Sequence, residues 1–521
     1  MSRSEPLKIS VNPQQTGLVS ERSRMSYLAI KRLVKCLALI LIVLSVSLVL
    51  ILKEALDNRV RIVYKEHSAK ATILKLVKPI STTNRIQSVV GSSQETFVNQ
   101  LQWTKCRWSS GLRIVSSTTR SPWTQMGTKE VYFHSAYWDD RGRAHRTHAF
   151  VRVLAYLRGS AADKPKMQCY YPEWRVSIQA HVQETWLPMW DQDPDEQTFR
   201  SFLVNCRVPP GVTELQSVSL STEVCDEMAT LKVVDNRFLA LPKRKKFCLC
   251  VKPLLFNMQD ISKQLIEWIE ANRLFGAEKI VFYLYQVHRK VSKVLDHYVR
   301  LGVVQVVPWS LPQELNLLNG RDLKVFFHRK VWQKRRSEVL PYNHCFYQNF
   351  NEFEFVLPID IDEFIFPLAV ESWHEVLSGH LLKHPDEKQL IGSFSVRNAY
   401  FFRSWNPKSN LNEDLVIEAF TQRSANLSQP GFSVKSFMNT DVVVTLFNHY
   451  ALSALLPTQK LTTHLNPDLI VMNHYKATCP NDFGRQCEEN FLKYSMNDTS
   501  ILRFVPKIKA RIKAVQIDWD K

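Results

Sequence analysis

The spacing of apolar residues changes near residue 243, and the two sides predict different secondary structure. In 126–242, short apolar or alternating runs are separated by turn residues, as at 139–142 and 209–211. Short runs at this spacing are typical of a small β-sandwich. The predicted strands are 131–133, 149–156, 169–171, 174–178, 202–208 and 217–220.

Beyond residue 243, apolar runs of strand length alternate with helical stripes. The stripe of the first predicted helix consists of Ile261, Leu265, Trp268, Ile269 and Leu274. This alternation is typical of a parallel sheet with helices packed on it, so it predicts an α/β fold. The predicted order is strand 247–255, helix 261–275, strand 279–285, helix 287–301 and strand 303–309.

Residues 36–52 form an uncharged apolar run, CLALILIVLSVSLVLIL. As a helix, this run extends about 25 Å, close to the thickness of a bilayer core. Basic residues are concentrated on its N-terminal side, which predicts a short cytosolic tail and a luminal body, a single-pass type II topology. A cleaved signal peptide is the alternative, but its apolar core and its basic leader are usually shorter than those found here.

A luminal body predicts further features of the secretory pathway. Glycosylation sequons begin at Asn426 and Asn497. Apart from Cys36 in the predicted span, nine cysteines would lie in an oxidising compartment. Nine is odd, so at least one thiol is free or pairs between chains, which leaves a homodimer open. No CxxC pair occurs, and Cys248 and Cys250 lack the spacing of a zinc knuckle, so no structural zinc is expected.

Composition sets the number of domains and the class of ligand. The 521 residues carry a formal net charge of +19, and 45% of them are hydrophobic, enough for two or three packed domains. The luminal topology excludes nucleic acid, so we assign the charge to solubility and to anionic ligands such as nucleotide diphosphates or acidic glycans. The predicted division is cytosolic tail 1–35, transmembrane signal anchor 36–52, stem 53–125, β-rich accessory domain 126–242 and α/β domain 243–521.

The segment 356–367 carries the clearest candidate chemistry. An apolar run ends at Ile359, and Asp360, Asp362 and Glu363 precede a second apolar run. Residues i and i+2 of a strand share a face, so the two aspartates are predicted to point the same way from a strand end. Two such oxygen ligands suit a divalent cation, and the cation suits a diphosphate. Solvated acids are the alternative, although carboxylates between two apolar strands are not typical of a surface turn.

Short motifs follow one another in a fixed order along the second half of the chain. They are CVKP (250–253), EWIE (267–270), LFG (274–276), VVQVVPW (303–309), HCFY (344–347), DIDEF (360–364), KSF (435–437) with His449, and HYK (474–476). This ordered set resembles glycosyltransferase family 92, a family of type II Golgi enzymes with a GT-A-type domain, several of which transfer galactose. The resemblance implies a Rossmann-like catalytic domain of the GT-A type in 243–521.

The resemblance also implies a divalent metal, manganese, and a UDP-sugar donor. It assigns Asp360 and Asp362 to the metal and the diphosphate, and it makes His474 a candidate third metal ligand. Lys435 and His449 become candidates for contacts with the donor phosphate or the acceptor. A core histidine and a surface lysine are the alternative interpretations of His474 and Lys435.

The implied reaction moves a sugar, galactose by family analogy, from UDP to a hydroxyl of a glycan on a glycoprotein or glycolipid in the Golgi lumen. An inverting enzyme needs a carboxylate base near that hydroxyl. Asp414, Glu418 and Asp441 are the candidates, and the sequence does not separate them. Glu363 is expected to orient its neighbours. Residues 401–432, rich in Asn, Ser and Pro, form either a lid or a surface loop.

Two other functions compete with sugar transfer. A metal-dependent luminal nucleotidase would use Asp360 and Asp362 around a dinuclear site, but it needs more His and Asp clusters than this chain carries. An inactive glycan-binding membrane protein would use the β-rich domain as its lectin module. The intact pair of aspartates favours an enzyme over this second alternative.

Overall fold

The change in apolar spacing near residue 243 corresponds to a change of architecture in the computed structural model. The structure describes residues 103–106, 122–127, 129–145, 147–159, 166–187, 198–226, 229–240, 244–312, 315, 318, 320–406, 415–479 and 487–519. The chain divides into Met1–Val90 and Gly91–Lys521, and all of the described residues belong to the second unit. The predicted tail and the predicted membrane span 36–52 lie outside the described residues. None of the described helices is long and apolar enough to span a bilayer.

Short strands dominate the part of the chain before residue 243. They are β1 (Thr104–Lys105), β2 (Thr124–Gln125), β3 (Val131–Asp139), β4 (Phe150–Arg158), β5 (Gln168–Tyr171), β6 (Val176–Gln179), β7 (His181–Glu184), β8 (Phe199–Arg207), β9 (Ser217–Ser221) and β10 (Ala229–Val234). A short helix, α1 (Arg141–Ala144), occupies the turn predicted at 139–142, and a 3-10 turn spans Arg237–Leu239. Each of the six predicted strands overlaps one of these strands.

These strands form one sheet in the order β1-β6-β5-β9-β10-β3-β4-β8-β7, with β2 paired to β3. A disulfide joins Cys169 of β5 to Cys206 of β8, which are well separated in that order, so the sheet curls back on itself. Its two halves enclose a core that includes Phe133 and Leu220. Because β1 and β2 pair with β6 and β3, the sheet begins inside the segment predicted as stem.

Beyond residue 243, longer strands alternate with helices. The strands are β11 (Lys245–Phe256), β12 (Ala277–Val287), β13 (Val304–Pro308), β14 (Phe353–Pro358), β15 (Glu363–Pro367), β16 (Ile391–Val396), β17 (Asn398–Phe402), β18 (Gln422–Ser424), β19 (Lys435–Asn439), β20 (Val443–Leu446), β21 (Ala451–Ala454), β22 (Lys460–His464), β23 (Ile470–Lys476) and β24 (Ser495–Asn497). The helices are α2 (Ser262–Phe275), α3 (Arg289–Arg300), α4 (Gly320–Arg329), α5 (Val331–Asn349), α6 (Trp373–Lys383), α7 (Glu387–Leu390), α8 (Val416–Ala419) and α9 (Val505–Lys513). Single turns span Arg403–Trp405, Glu488–Leu492 and Leu502–Phe504.

The main sheet of this region has the order β13-β12-β11-β14-β19-β16-β22. Strands β13, β12, β11 and β14 run parallel to one another, and β19 is antiparallel to β14. The predicted βαβαβ alternation over β11–β13 is therefore confirmed. A smaller sheet, β15-β23-β17, lies beside it and shares its apolar core.

Helix α2 shows how the sequence sets these boundaries. Its stripe is buried at Leu265, Trp268 and Ile269, and the Trp268 ring N–H donates a hydrogen bond to the backbone carbonyl of Glu363 at 2.8 Å. The helix ends at Gly276, whose φ of +126° is open to glycine and strained for other residues. The chain then turns directly into β12.

Helix α5 joins the two regions. One apolar core contains residues of the β-rich sheet, such as Tyr132, together with Tyr347 of α5. The Tyr156 hydroxyl of β4 donates to the Ser337 carbonyl of α5 at 3.0 Å. On its other side, a disulfide from Cys345 ties α5 to Cys250 of β11. The helix is therefore fixed from two directions.

The cysteine count is resolved within the described residues. Disulfides join Cys106 to Cys225, Cys169 to Cys206, Cys250 to Cys345, and Cys479 to Cys487. The remaining described cysteine, Cys248, is free and buried. A buried thiol does not reach another chain, so it offers no disulfide for the homodimer that the odd count left open.

Candidate active site

The two aspartates of the acidic motif lie in the turn between β14 and β15. The Glu363 N–H donates to the Asp360 carbonyl at 3.1 Å, and the Asp360 N–H donates to the Glu363 carboxylate at 3.0 Å. These reciprocal bonds close a tight turn over residues 360–363, which we call the acidic turn. Asp360 and Asp362 therefore do not stand on a strand, as their spacing had predicted. Both nevertheless line one cavity, at the carboxyl end of β14.

Asp360 is surrounded by cations and a hydroxyl. Its Oδ2 lies 3.2 Å from Lys252 Nζ and 3.5 Å from Lys435 Nζ, and its Oδ1 accepts a hydrogen bond from the Tyr342 hydroxyl at 3.1 Å. Burial raises the pKa of the Asp360 carboxyl, but the two ammonium groups outweigh it and hold the pKa below its ordinary value. Asp360 is therefore ionised at neutral pH.

Asp362 faces a different pair of partners. Its Oδ2 lies 3.1 Å from Lys476 Nζ and 3.3 Å from His474 Nε2. Burial raises the pKa of the Asp362 carboxyl, but His474 and Lys476 together hold it well below its ordinary value. The Tyr475 N–H donates to the Asp362 carbonyl at 3.0 Å, which fixes the turn against β23.

Glu363 shares one partner with each aspartate, Lys435 with Asp360 and His474 with Asp362. It pairs directly with His474 in the β15–β23 ladder, and its carboxylate lies 3.5 Å from His474 Nδ1 and 3.3 Å from Lys435 Nζ. Burial raises the pKa of Glu363 above its ordinary value, against the opposing effect of Lys435. Lys435 is 1% exposed, so the surface-lysine interpretation is wrong. His474 also stacks on Tyr400, with ring centroids 5.4 Å apart.

The cavity at this edge has a volume of about 790 Å³. Its lining residues divide into an apolar set, the apolar wall, and a polar set, the polar wall. The apolar wall includes Phe256, Ile261, Leu265, Phe364, Val416, Phe420 and Tyr475. The polar wall includes Lys252, Lys324, His328, Lys334, Glu338, Asp360, Asp362, Arg403 and Lys476.

Positive charge accumulates on the polar wall. The carboxylate of Glu338 raises the pKa of the Lys334 ammonium, but burial and the neighbouring ammonium of Lys252 outweigh it and lower the pKa. Lys334 is exposed to the cavity, and a lysine whose charge is disfavoured by its surroundings marks a place that an anion would stabilise. Lys476, which also lines the cavity, lowers the pKa of Lys334 as well.

A family comparison covers this region of the chain. The model of glycosyltransferase family 92 matches residues 245–507, half of the chain, including the acidic turn and both sheets around it. The chain belongs to glycosyltransferase family 92. The beta-1,4-galactosyltransferase galt-1 of Caenorhabditis elegans is 23% identical over 261 residues, which are 48% of this chain and 55% of that relative. The chain thus spans about half the length of the relative it matches.

Three of the candidate residues for the metal and the donor meet in one place. Asp360, Asp362 and His474 surround the acidic turn, whereas Lys435 contacts the acids from a buried position. The His449 ring is 2.7 Å from the Val434 carbonyl, and burial lowers the pKa of His449 to about 3, so the ring is neutral. Lys435 and His449 therefore support the strand beside the acids.

The three base candidates have different fates in this family member. Asp441 pairs with Arg244 at 2.6 Å, at the start of β14 and thus at the opposite end of that strand from Asp360. Glu418 pairs with Lys509 at 2.6 Å. Asp414 lies outside the described residues and stays a prediction.

The polar wall contains residues that sequence reasoning missed. Lys334 and Glu338 of this wall, and Tyr342, which contacts Asp360, lie four residues apart on α5, so they share one face of that helix. Lys252 and Lys476 occur in the sequence motifs, but no pattern gave them a role in the site. The four-residue spacing on α5 was the available signal, and it becomes informative only once that face is known to meet the acids.

The donor atoms of the site fit a divalent cation. Asp362 Oδ2 and His474 Nε2 are 3.3 Å apart, which is close to the separation of two adjacent ligands on one ion with bonds of about 2.1 Å. Across the described residues, three or more potential ligand atoms converge only at Cys248, Cys250 and Cys345, two of which form a disulfide. Asp362 and His474 therefore provide a pair of potential ligands, and no third ligand atom of the described residues converges with them.

A buried carboxylate next to the cavity predicts a pH-dependent stability. Glu267 of α2 accepts hydrogen bonds from the Val416 and Ile417 N–H groups of α8, both at 3.0 Å. Burial raises the pKa of Glu267 from 4.5 to about 7, against the opposing effect of these N–H groups. The folded state thus holds its proton more tightly than the unfolded state, and this contribution to stability is lost as the pH rises from about 4.5 to about 7.

We expect Glu267→Gln to remove this part of the pH dependence. Urea unfolding at pH 5, 6, 7 and 8 should show a wild-type free energy of unfolding that falls relative to the variant with rising pH, then levels off. A constant difference between the two proteins would contradict the assignment.

Proposed function

We propose that this protein transfers galactose from UDP-galactose to a hydroxyl of a glycan acceptor, with inversion and with a divalent metal, in the Golgi lumen. The observation that carries the proposal is the acidic turn, where Asp362 lies 3.3 Å from His474 of β23 and lines a cation-rich cavity. The name of the nematode relative supports galactose as the sugar.

The sheet topology supports a GT-A-type domain. The parallel strands β13, β12, β11 and β14 form an open sheet, and the acids follow the carboxyl end of β14. Ligands of open α/β sheets bind outside the carboxyl ends of the strands. A nucleotide diphosphate at that edge would lie between the acidic turn and α5.

Several residues of this chain have clear parts in such a reaction. Asp362 and His474 would hold manganese, with Asp360 beside them, and the metal would supply Lewis-acid stabilisation of the departing diphosphate. Lys334 and Lys476 neutralise the charge of the same diphosphate. The apolar wall excludes water from the donor. Transfer with inversion also requires a carboxylate that takes the proton of the acceptor hydroxyl.

The position of the base candidate Asp414 along the chain agrees with that last role. Arg403 and Val416, on either side of it in sequence, both line the cavity. The four disulfides of the described residues support a luminal location, because such bonds form in oxidising compartments. A type II anchor at 36–52 completes the proposal.

A donor screen tests the proposal directly. The full chain, made in a secretory host and purified in detergent, would be incubated with manganese, an array of glycoprotein and glycolipid glycans, and each common UDP-sugar in turn. We expect a product heavier by one hexose with UDP-galactose, loss of that product with EDTA, and its return with added manganese. A product with another sugar, or one insensitive to EDTA, would contradict the proposal. Hydrolysis of UDP-galactose without transfer of galactose to any glycan would favour a nucleotidase.

A further inference from the structure

The cavity contains a third carboxylate that the acidic turn does not explain. Glu338 of α5 has a side chain that is 13% exposed, and its Oε1 lies 3.4 Å from Lys252 Nζ. Among the described residues, this ammonium is the close ionic partner that the structure gives it. A carboxylate has about four acceptor positions, so most of those of Glu338 are available to a molecule in the cavity.

Lys252 links this carboxylate to the acidic turn. Its single ammonium lies 3.2 Å from Asp360 and 3.4 Å from Glu338, so the two carboxylates are at most the sum of these distances apart. Glu338 is therefore on the same side of the cavity as the residues to which the proposed function assigns the diphosphate.

A carboxylate in such a cavity can act as the general base or can bind the donor sugar, and the two roles require different positions. A general base must lie beyond the acceptor oxygen, on the opposite side of the reacting carbon from the departing diphosphate. The sugar, in contrast, is bonded directly to that diphosphate. Glu338 shares Lys252 with Asp360, and a position this close to the two aspartates fits a contact with the sugar.

The neighbours of Glu338 match the chemistry of a sugar hydroxyl. A hydroxyl donates one hydrogen bond and accepts others, so a carboxylate next to an ammonium satisfies both capacities at once. Glu338 has two such ammonium groups nearby, on Lys252 and on Lys334, which precedes it by four residues on the same face of α5.

We propose that Glu338, with Lys252, binds a hydroxyl of the donor sugar and so determines which UDP-sugar is accepted. This assignment rests on the proposed function, because it requires a sugar nucleotide at the acidic turn. A site built to hydrogen-bond a hydroxyl discriminates strongly against donors in which that hydroxyl is absent or differently oriented. Glu338 is then a specificity-determining residue.

Binding of UDP and of UDP-galactose tests this role without relying on turnover. Isothermal titration of the full chain with manganese would compare the wild type, Glu338→Gln and a matched control, Glu352→Gln. Glu352 pairs with Lys245 at 2.7 Å, next to the start of β14 and away from the cavity. We expect Glu338→Gln to bind UDP like the wild type and UDP-galactose at least about tenfold more weakly, because a hydrogen bond to a charged group is typically worth that much.

Deoxy-galactose analogues of the donor identify the hydroxyl. One of them should bind the wild type weakly and should lose no further affinity on Glu338→Gln, whereas the others should lose as much as UDP-galactose does. Glu338→Asp, which keeps the charge beside Lys252 but shortens the side chain, should give the same selective loss. It provides the test if the glutamine variant does not fold.

Three results would overturn the assignment. Equal weakening of UDP and UDP-galactose would make Glu338 a support of the diphosphate. Unchanged binding of both with a large fall in turnover, and loss of the acidic limb of the pH–rate profile, would make it the base. Unchanged binding and turnover would leave it no role with the donor. Failure of the wild type to bind any UDP-sugar would instead overturn the proposed function, and this assignment with it.

Discussion

Replacing Asp362 by asparagine should lower the rate of sugar transfer by about 10²–10³-fold, the effect of losing several kcal/mol of charge stabilisation at a metal. Asparagine keeps the shape of the side chain but not the charge that Lys476 and His474 contact at 3.1 and 3.3 Å. The turn itself should persist, because its backbone bonds come from Glu363 and Tyr475. The measurement is kcat/KM for UDP-galactose, with manganese and a saturating acceptor. The far-UV CD spectrum checks that the fold is preserved.

Asp468→Asn is the matched control for this variant. Asp468 is exposed and precedes β23 at the end that pairs with Pro367, whereas His474 lies further along that strand, opposite Glu363. We expect its rate to equal that of the wild type. A wild-type rate in Asp362→Asn, with the fold preserved, would disprove the role of the acidic turn in the reaction.

Replacing Lys435 by methionine is expected to destabilise the folded protein by about 3–5 kcal/mol, the usual cost of removing one partner from a buried ion pair. The Lys435 ammonium lies 3.3 Å from Glu363 and 3.5 Å from Asp360, and methionine leaves both carboxylates without it. The free energy of unfolding in urea at pH 7 measures the loss.

A second lysine provides the comparison for this experiment. Lys388 is 52% exposed and lies 3.8 Å from Glu354, so Lys388→Met should change the free energy of unfolding by less than about 1 kcal/mol, as for other exposed ion pairs. Equal losses in the two variants would show that Lys435 does not act as a buried counter-charge. A lower pH should reduce the difference between the losses in the two variants. Glu363 has a raised pKa and is protonated more readily when the Lys435 ammonium is absent.

The elements that the sequence predicted best are those whose own residues determine them. The stripe of α2 and the apolar runs of β11 and β12 are local patterns, and each appears within a few residues of its predicted bounds. Strand β7 has no apolar alternation and takes its place in the sheet by pairing with β8. The sequence therefore did not reveal it.

The site divides in the same way. The acids are contiguous in sequence, so the motif located them, although the reciprocal Glu363 bonds that place them in a turn depend on side-chain geometry. The cations come from β11, α5 and β23, and only the fold brings Lys252, Lys334 and Lys476 to one wall. Asp441 had the right chemistry and the right domain, but β19 runs antiparallel to β14 and carries it to the other end of the sheet.

The segment that matches the family model and the segment that packs into one folded core have different N-terminal boundaries, because α5 packs against strands that precede the match. The family match begins at residue 245, yet the aromatic face of α5 is covered by Tyr132, Tyr156 and Phe199 from strands before that point. A fragment trimmed to the matched segment would present this face to water and leave the helix that carries Lys334 and Glu338 fixed from one side only, through the disulfide to β11. The upstream sheet therefore serves as an internal scaffold for the matched half.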